Sequence, residues 1–391
     1  MFDKDNKFGF INNNESNNNI EGLDNIKTDI KNIKDDVGNE ELTTTAKDLK
    51  GAINELDTQY KDIANEKVDK TYLNVEDFGA KGDGVTDDTD AIISAIQTGK
   101  KVYFPKGTYL ISSTIVLADN SILFGDGYVS VLKCSPSFNG TELIKILNAK
   151  NTEIKDISLN GGSSFDYTTR KFTNLNSKIT GILISNGATH VSVCRINNVE
   201  ITLFSKCGIN VEPSTYEVIV NNVVIKACNL SGIYNRGTDS HWSNIYIGLC
   251  GYNSSEYLKE GAHLEGANNN YSNFKIYLCD YGGLYLENGT SSNNYSNFNI
   301  QECKGYGLNI NTASNNNLTN IVIDSCENAI NMYKTSGIYV SGLVSNSLTT
   351  ITTKTWLVAY SCEGKNYIDV LALVGKKSSD DTNITYTKSN N

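Results

Sequence analysis

Two glutamates in the second half of the chain occupy equivalent places in successive copies of a repeated pattern. Glu265 ends the stretch Gly-Ala-His-Leu-Glu, and Glu287 ends the stretch Gly-Leu-Tyr-Leu-Glu. If these copies form neighbouring strands, the two backbones lie about 4.8 Å apart. Retaining glycosidases hold two carboxyl groups at about 5 to 5.5 Å, and repulsion between the charges would raise the pKa of one of them. We therefore predict Glu265 and Glu287 as a catalytic acid and nucleophile.

Aligning the repeats places further side chains in two outward columns around this pair. The first column contains Asn210, Tyr234, His263, Tyr285, Asn309 and Asn331, and the second contains Glu212, Arg236, Glu265, Glu287, Asn311 and Tyr333. Aromatic, amide and carboxylate groups of this kind stack on sugars and form hydrogen bonds with them. The predicted substrate-binding residues are Glu212, Arg236, Trp242, His263, Tyr285 and Tyr333, with Trp242 assigned to a turn between coils.

Other interpretations of these columns remain open. The charges of Glu212, Arg236 and Glu265 alternate in sign. Such alternation is common on the solvent-exposed face of a solenoid and needs no catalytic role. Glu212 and Glu265 lie two rungs apart, about 9.6 Å, which is near the upper limit for an inverting carboxyl pair. The turn around Trp242 supplies only Asp239 and His241 as metal ligands, without a third. We expect no metal and no cofactor.

A repeat of about 23 residues predicts the elements that position these side chains. Its template is Asn, apolar, any residue, Ile, two residues, Cys, a short turn, Gly or Ala, and a further apolar residue. The first apolar positions are Val199, Val223, Ile245, Phe274, Phe298 and Ile321. This period, with alternating strand patterns, fits a parallel β-helix. The frame of a leucine-rich repeat, LxxLxLxxN, is missing.

The cysteines fit inward positions of such coils better than a metal or redox site. Nine cysteines are present, an odd number, and no CxxC pair occurs. This disfavours a closed disulfide framework and a zinc ribbon. Six of them recur with the repeat, at 207, 228, 250, 279, 303 and 326. We predict buried free thiols.

The charge balance excludes several classes of partner. The formal net charge is -10, with 34 basic and 44 acidic residues. A protein that binds nucleic acid or an anionic membrane needs a basic face, so neither is expected as a partner. The start, MFDKDNKFGF, lacks the pattern of a signal peptide. No window reaches the roughly 18 apolar residues of a membrane helix, so we expect no membrane insertion.

The N-terminal region predicts a helical stem behind a polar arm. Residues 1–19 are rich in Asn and predict a flexible arm. Apolar residues separated by three or four positions recur over 20–37 and 49–63, which is a heptad seam. Ile at both core positions favours trimers or larger assemblies over dimers. A monomeric helical hairpin is the alternative.

The stretch FGAKGDGVTDDTDAI, at 78–92, predicts a cap on the first coil. It lacks the ending of a P-loop and the order of an EF-hand loop. Its glycines allow tight turns, and Asp87 or Asp88 can cap the helix that follows. Ala91, Ile92, Ala95 and Ile96 give that helix an apolar face.

Two insertions and one further column complete the pattern. The insertions at 161–178 and 251–262 carry aromatic and charged residues, and we expect them to flank the binding face. The outward column of Glu200, Val224, Tyr246, Lys275, Asn299 and Val322 is apolar for a solvated surface. We predict that this column faces a trimer axis.

The opening of the repeat region carries a family resemblance. The segments NVEDFGAKGDGVTDDTDAIISAI, VYFPKGTYLISSTIVL and SILFGDG resemble the opening segment of the pectate-lyase-like superfamily, which includes bacteriophage tail spikes and related glycan-degrading proteins. The upstream TTTAKDLKGAINEL resembles a helical element of phage tail and baseplate-attached proteins. The signatures of polygalacturonases and the arginine and calcium-carboxylate set of pectate lyases are absent. Pectin is therefore not supported as the substrate.

The resemblance implies an all-β, right-handed parallel β-helix with an N-terminal α-helical coiled-coil stem, assembled as a homotrimer. The expected domains are an arm and stem for virion attachment (1–72), an opening and capping segment (73–130), the β-helix body (131–345) and a C-terminal β cap or trimer-closing segment (346–391). Residues 1–72 are expected to bind phage tail or baseplate proteins.

The same resemblance implies a receptor-binding tail spike on the virion tail, assembled in the bacterial host cytoplasm. It is expected to bind and cleave a capsular polysaccharide or a teichoic-acid-like glycan during host adsorption, as a depolymerase. A glycoside hydrolase is favoured over a lyase. The alternative is a non-enzymatic receptor-binding or structural tail fibre protein of the same fold.

Overall fold

The computed structural model describes residues 72–346 except 177, 186–192 and 253–256, the segments 355–362, 365–372, 376–378 and 384–388, and eight helical positions between 28 and 58. The chain divides into two units, 1–70 and 71–391. The predicted arm and most of the predicted coiled-coil stem lie outside the described residues.

The described part of the second unit consists mainly of strands. The first are β1 (Tyr72–Asn74), β2 (Asp83–Asp87), β3 (Lys101–Phe104), β4 (Gly107–Leu117), β5 (Ile122–Gly125), β6 (Ser130–Leu147), β7 (Glu153–Asn160), β8 (Ser164–Asp166) and β9 (Lys171–Asn174). The next are β10 (Thr180–Ser185), β11 (Cys194–Thr202), β12 (Ile209–Val211), β13 (Val218–Lys226), β14 (Ile233–Asn235), β15 (His241–Gly248), β16 (Glu260–Leu264), β17 (Asn270–Tyr277) and β18 (Gly282–Leu286). The last are β19 (Asn294–Gln301), β20 (Tyr306–Asn311), β21 (Asn317–Asp324), β22 (Asn328–Tyr333), β23 (Tyr339–Asn346), β24 (Thr355–Tyr360), β25 (Asn366–Ala372), β26 (Lys376–Ser378) and β27 (Ile384–Lys388).

Each strand of the body pairs with the strand one coil further along the chain. β11 pairs with β13 and β13 with β15, while β12 pairs with β14 and β14 with β16, all in parallel. Within the described residues, β8 and β9 form a separate antiparallel hairpin. The predicted right-handed parallel β-helix is confirmed.

The opening segment folds against the first strands as a small cap. A 3-10 helix (Val75–Phe78) precedes β2, and helix α1 (Thr89–Gln97) buries Ile92, Ala95 and Ile96 in the common core. Gly79, Gly82 and Gly84 all have positive φ, as the turn prediction requires.

Both candidate helix-capping aspartates are used, although in different ways. The Asp87 Oδ1 atom accepts a hydrogen bond from the backbone N–H of Thr89 at 3.1 Å, inside the first helical turn. The Asp88 carboxylate instead accepts from the backbone N–H groups of Lys81 and Gly82. Asp88 therefore fixes the glycine loop, while Asp87 serves the start of the helix.

The core consists of columns in which one residue type recurs from coil to coil. The strand register joins Val199, Val223, Ile245, Phe274, Phe298 and Ile321 in the predicted order. The rings of Phe274 and Phe298 stack at 4.7 Å between centroids. All nine cysteines are buried and free, which confirms the prediction of structural thiols.

A ladder of asparagines bends each long strand. Asn273, Asn297 and Asn320 have positive φ, and each donates its Nδ2–H to the side-chain oxygen of the Asn one coil earlier, at 3.0 to 3.1 Å. Asn adopts the left-handed conformation more readily than other residues with a Cβ atom. The recurrent Asn of the repeat therefore lies inside each long strand in the left-handed conformation.

The C-terminal strands continue the same pattern. β22 pairs with β24, β24 with β26, β23 with β25, and β25 with β27, all in parallel. This segment therefore extends the β-helix, and its closing role stays a prediction. Among the described residues, no helix is long and apolar enough to cross a membrane.

Candidate functional site

The strand register confirms the two outward columns around the predicted pair. Asn210, Tyr234, His263, Tyr285, Asn309 and Asn331 are successive partners across β12, β14, β16, β18, β20 and β22. Glu265 and Glu287 each follow the last residue of their strand, and the Glu287 N–H donates to the Leu264 carbonyl at 2.9 Å. The two glutamates therefore lie on neighbouring rungs.

The ring of His263 lies between the carboxylates of this site. Its Nε2 atom is 2.6 Å from Glu287 Oε2 and 3.7 Å from Glu265 Oε1. The His263 side chain is fully buried, whereas those of Glu265 and Glu287 are 23% and 16% exposed. His263 therefore lies beneath the pair, and a surface polymer would meet the carboxylates before the imidazole.

A third carboxylate, which the sequence pattern did not indicate, completes this cluster. Glu260 Oε2 lies 3.1 Å from His263 Nδ1, and its side chain is 6% exposed. Both ring nitrogens of His263 therefore face a carboxylate oxygen. Because a neutral imidazole carries one N–H, these two contacts together require one further proton, on the ring or on a carboxylate.

Two tyrosines distinguish the environments of the paired glutamates. The Tyr234 hydroxyl donates to Glu265 Oε1 at 2.7 Å, and the Arg236 guanidinium lies over the Tyr234 ring at 4.5 Å. The Tyr285 hydroxyl is 3.5 Å from Glu287 Oε1, the outer limit of a hydrogen bond. Glu265 is thus held as an acceptor, whereas Glu287 has the weaker tyrosine contact.

Burial raises the pKa of Glu287 above its ordinary value. The sequence attributed a raised pKa to repulsion between two carboxylates, and this explanation is wrong because desolvation is the cause. Burial and the hydrogen bond to Glu265 also raise the pKa of Tyr234, so this hydroxyl keeps its proton as a donor. Glu265 therefore accepts the Tyr234 hydroxyl, and Glu287 is the carboxyl group whose pKa burial raises.

The other predicted binding residues lie on the rungs around this centre. Arg236 lies on the rung before Glu265, and its N–H donates to the Val211 carbonyl. Glu212 lies one rung earlier, where its carboxylate is hydrogen-bonded to the Ser185 hydroxyl. Tyr333 pairs in register with Asn311, two rungs beyond Glu287. These residues extend the column but do not join the cluster around His263.

The assignment of Trp242 to a sugar-binding turn is wrong. Trp242 belongs to β15, where it pairs with Val220 on one side and Tyr271 on the other. It is 1% exposed and stacks with Tyr271 inside the core. The turn ends at Ser240, so His241 and Trp242 alternate as outward and inward strand residues, and only His241 is exposed.

The cluster also offers the atom types that bind a divalent cation. The ligand atoms of His263, Glu265 and Glu287 lie within 4.8 Å of one another. Zinc and manganese sites use imidazole and carboxylate ligands of this kind. In the present geometry, His263 Nε2 and Glu287 Oε2 are also at direct hydrogen-bond distance, 2.6 Å.

Comparisons with known proteins agree with this architecture. Residues 72–251 match the family model described as rhamnogalacturonase A/epimerase, pectate lyase-like. The preneck appendage protein of Bacillus phage PZA is 49% identical over 55 residues, which cover 14% of this chain and 6% of that protein. A probable glucan endo-1,3-beta-glucosidase of Arthroderma benhamiae is 37% identical over 139 residues, which cover 30% of this chain and 15% of that protein.

A solved structure extends the comparison to most of the chain. The Dettilon tailspike protein superposes with a TM-score of 0.63 at 17% identity, over 88% of this chain and 68% of that chain. The curated relatives are much longer than their matched parts, since the chain spans no more than 15% of either. The strand register therefore describes a right-handed parallel β-helix, and residues 72–251 within it are similar to the pectate-lyase-like family.

Proposed function

We propose that the protein is a phage tail spike or tail appendage protein that binds a bacterial surface glycan and hydrolyses it at Glu265 and Glu287. The observation that carries this proposal is the pair of carboxylates with opposite environments, which lie on neighbouring rungs and remain partly exposed. The similarity to a phage preneck appendage protein and to a probable glucan endo-1,3-beta-glucosidase supports the same two roles.

In this proposal each carboxyl group takes one part in a retaining hydrolysis. Glu287, whose pKa is raised by burial, donates its proton to the glycosidic oxygen as the bond to the sugar breaks. Glu265 attacks the anomeric carbon and forms a glycosyl ester. Water then attacks this ester, Glu287 takes the proton of that water, and Glu265 leaves as a carboxylate. The proton on Glu287 is thereby restored.

A non-enzymatic receptor-binding role is the second candidate. The contact of 2.6 Å between His263 and Glu287 also fits a hydrogen-bond network that only stabilises neighbouring rungs. The glycan would then be held by the same outward columns without being cut. A third possibility is a structural tail fibre protein of the same fold, which would neither bind nor cleave a glycan.

The proposed location, partners and oligomeric state rest on the similarity to the phage appendage protein and on the sequence patterns. We place the protein on the virion tail, assembled in the cytoplasm of the bacterial host and attached to tail or baseplate proteins through residues 1–72. We propose a homotrimer with the column from Glu200 to Val322 towards its axis. Light scattering of the full-length protein would then give about three times the chain mass of 42.8 kDa.

Incubation with purified envelope polymers tests the activity. Capsular polysaccharide, wall teichoic acid and peptidoglycan fragments from a panel of bacteria would be treated with the full-length protein, and reducing ends and chain length would be measured. We expect at least one polymer to be shortened. Binding of a polymer without any shortening across the panel would support the receptor-binding alternative instead.

A further inference from the structure

A cleft of about 780 Å³ lies beside the β-helix where the hairpin β8–β9 projects over the coils. Arg170 and Phe172 line it from the hairpin side, and Asp280 and Lys304 line it from the turns of later coils. Tyr252, from the second insertion, lines it as well. The two insertions that interrupt the regular repeat therefore meet at one cleft.

Aromatic contacts hold the wall of this cleft in place. The ring of Phe165 lies 5.0 Å from Phe172 within the hairpin and 5.2 Å from Tyr252, both edge to face. Edge-to-face aromatic pairs of this kind stabilise the packing beyond the area that they bury. The hairpin is thus anchored to the neighbouring loop, and the cleft is preformed.

A second cavity of about 350 Å³ adjoins the first. It shares Asp280 and Lys304 as lining residues, and it is also lined by Glu260 and Tyr281. The Tyr281 side chain is 46% exposed, and the Lys259 Nζ atom lies 3.6 Å from its ring centroid. A partly exposed aromatic ring, with the Lys259 ammonium over one of its faces, therefore stands at the junction.

Glu260 connects this second cavity with the carboxylate pair. It begins β16 and contacts His263, while Glu265 directly follows the same strand. Tyr257 lies with its ring 5.0 Å from the His263 ring and is 55% exposed. Tyr281 and Tyr257 thus lie along β16, on a path between the second cavity and the two carboxylates, Glu265 and Glu287.

We propose that the two cavities and this path form an extended binding cleft for several sugar units of a glycan chain, which they guide along β16 to Glu265 and Glu287. This inference rests on the proposed function. Exposed aromatic faces stack on sugar rings, and side chains of both charges bind hydroxyl groups and charged substituents. The cleft therefore takes an internal segment of a polymer, and cleavage occurs within the chain.

Substitutions of the two exposed tyrosines test this cleft. Tyr281→Ala and Tyr257→Ala would each be made in a Glu287→Gln background, so that the polymer is not shortened during the measurement. Affinity gel electrophoresis with the capsular polysaccharides and wall teichoic acids would give dissociation constants. We expect each substitution to weaken binding by about 2- to 10-fold, the range of one aromatic stacking contact. Tyr281→Phe keeps the ring face and is expected to bind like the parent.

A matched control separates the cleft from general effects of losing an exposed ring. Tyr339 is 47% exposed and pairs with Asn317 and Tyr367, in a different column. Tyr339→Ala should leave binding unchanged. If the parent binds a polymer and the cleft variants bind it equally well, the cleft is rejected and the function stands. If the parent binds none of the polymers, the proposed function fails together with the cleft.

Discussion

At the scale of single residues, the site depends on where a few protons lie. Glu260 faces His263 Nδ1, and Glu287 faces Nε2. If Nδ1–H donates to Glu260, the Nε2 lone pair accepts the acid proton of Glu287. That hydrogen bond stabilises the protonated form of Glu287, in addition to the effect of burial on its pKa. Glu260 would therefore act as a positioning residue for the acid.

Replacement of Glu260 tests this proton arrangement. In Glu260→Leu, Nδ1 loses its acceptor, and His263 can carry its proton on Nε2 and donate it to the Glu287 carboxylate. We expect the pKa of Glu287 to fall, so that the alkaline limb of kcat/KM moves to lower pH. The pH profile of polymer cleavage measures this shift. Glu153→Leu, which removes a surface partner of Lys155, is the control and should keep the original profile.

The raised pKa of Glu287 also predicts the pH dependence of stability. A carboxyl group whose pKa is raised by folding contributes stability below its unfolded pKa of about 4.3, and this contribution is lost as the pH rises through the folded pKa. The Gln side chain of Glu287→Gln cannot ionise, so the variant does not lose this stability as the pH rises. We expect the ratio of unfolding midpoints, variant to parent, to rise between pH 4 and pH 8. A constant ratio would contradict the raised pKa.

Sequence reasoning at this scale succeeded where a residue recurred and failed where it did not. The sequence placed Glu265 and Glu287 on neighbouring rungs because both occupy equivalent positions in the repeat, and their catalytic role stays a prediction. Glu260 was missed because its partner on the next rung is Gly282, so no column of acidic residues marks the position. Trp242 was misplaced because an error of one residue at a strand boundary moves a side chain to the opposite face.

At the scale of elements, the asparagine ladder accounts for the bend of each coil. Asn297 has φ of 59°, donates to Asn273 and accepts from Asn320. Its side chain stabilises the coil by hydrogen bonds, and its backbone tolerates the left-handed conformation. The repeat template marks this position, because Asn recurs there from coil to coil.

Three substitutions separate these two contributions. Asn297→Ala is expected to cost about 1 to 3 kcal/mol, because it loses hydrogen bonds and strains a residue at positive φ. Asn297→Gly keeps the backbone conformation and should cost less. Asn294 donates to Asn270 without positive φ, so Asn294→Ala should have the smallest effect. Midpoints of guanidinium unfolding would rank the three, and a larger loss for Asn294→Ala would contradict the account.

At the scale of the whole molecule, repetition determined how much was predictable. A solenoid converts a sequence period into columns, so the core, the thiols and the outward faces followed from alignment alone. The cleft between the insertions did not, because each insertion occurs once and its packing depends on the contact between Phe165 and Tyr252. The pairing of strands β24 to β27 with the body was also not predicted, since these strands lack the repeat template.

The buried cysteines give a test of the whole fold. Burial raises the pKa of Cys194 to about 11 and that of Cys207 to about 12, so these thiols are neither accessible nor ionised at neutral pH. We expect almost no reaction of native protein with a thiol reagent, and reaction of nine thiols after denaturation. Rapid labelling of several cysteines in the native protein would contradict the packed columns.

The central claim is that Glu265 and Glu287 cut a bacterial surface glycan. The most direct measurement is the rate of reducing-end release from a susceptible envelope polymer by the parent, Glu265→Gln and Glu287→Gln, with circular dichroism to verify folding. The account predicts that each substitution lowers the rate by at least about 100-fold while polymer binding is retained. Folded variants that cleave at the parental rate would contradict it.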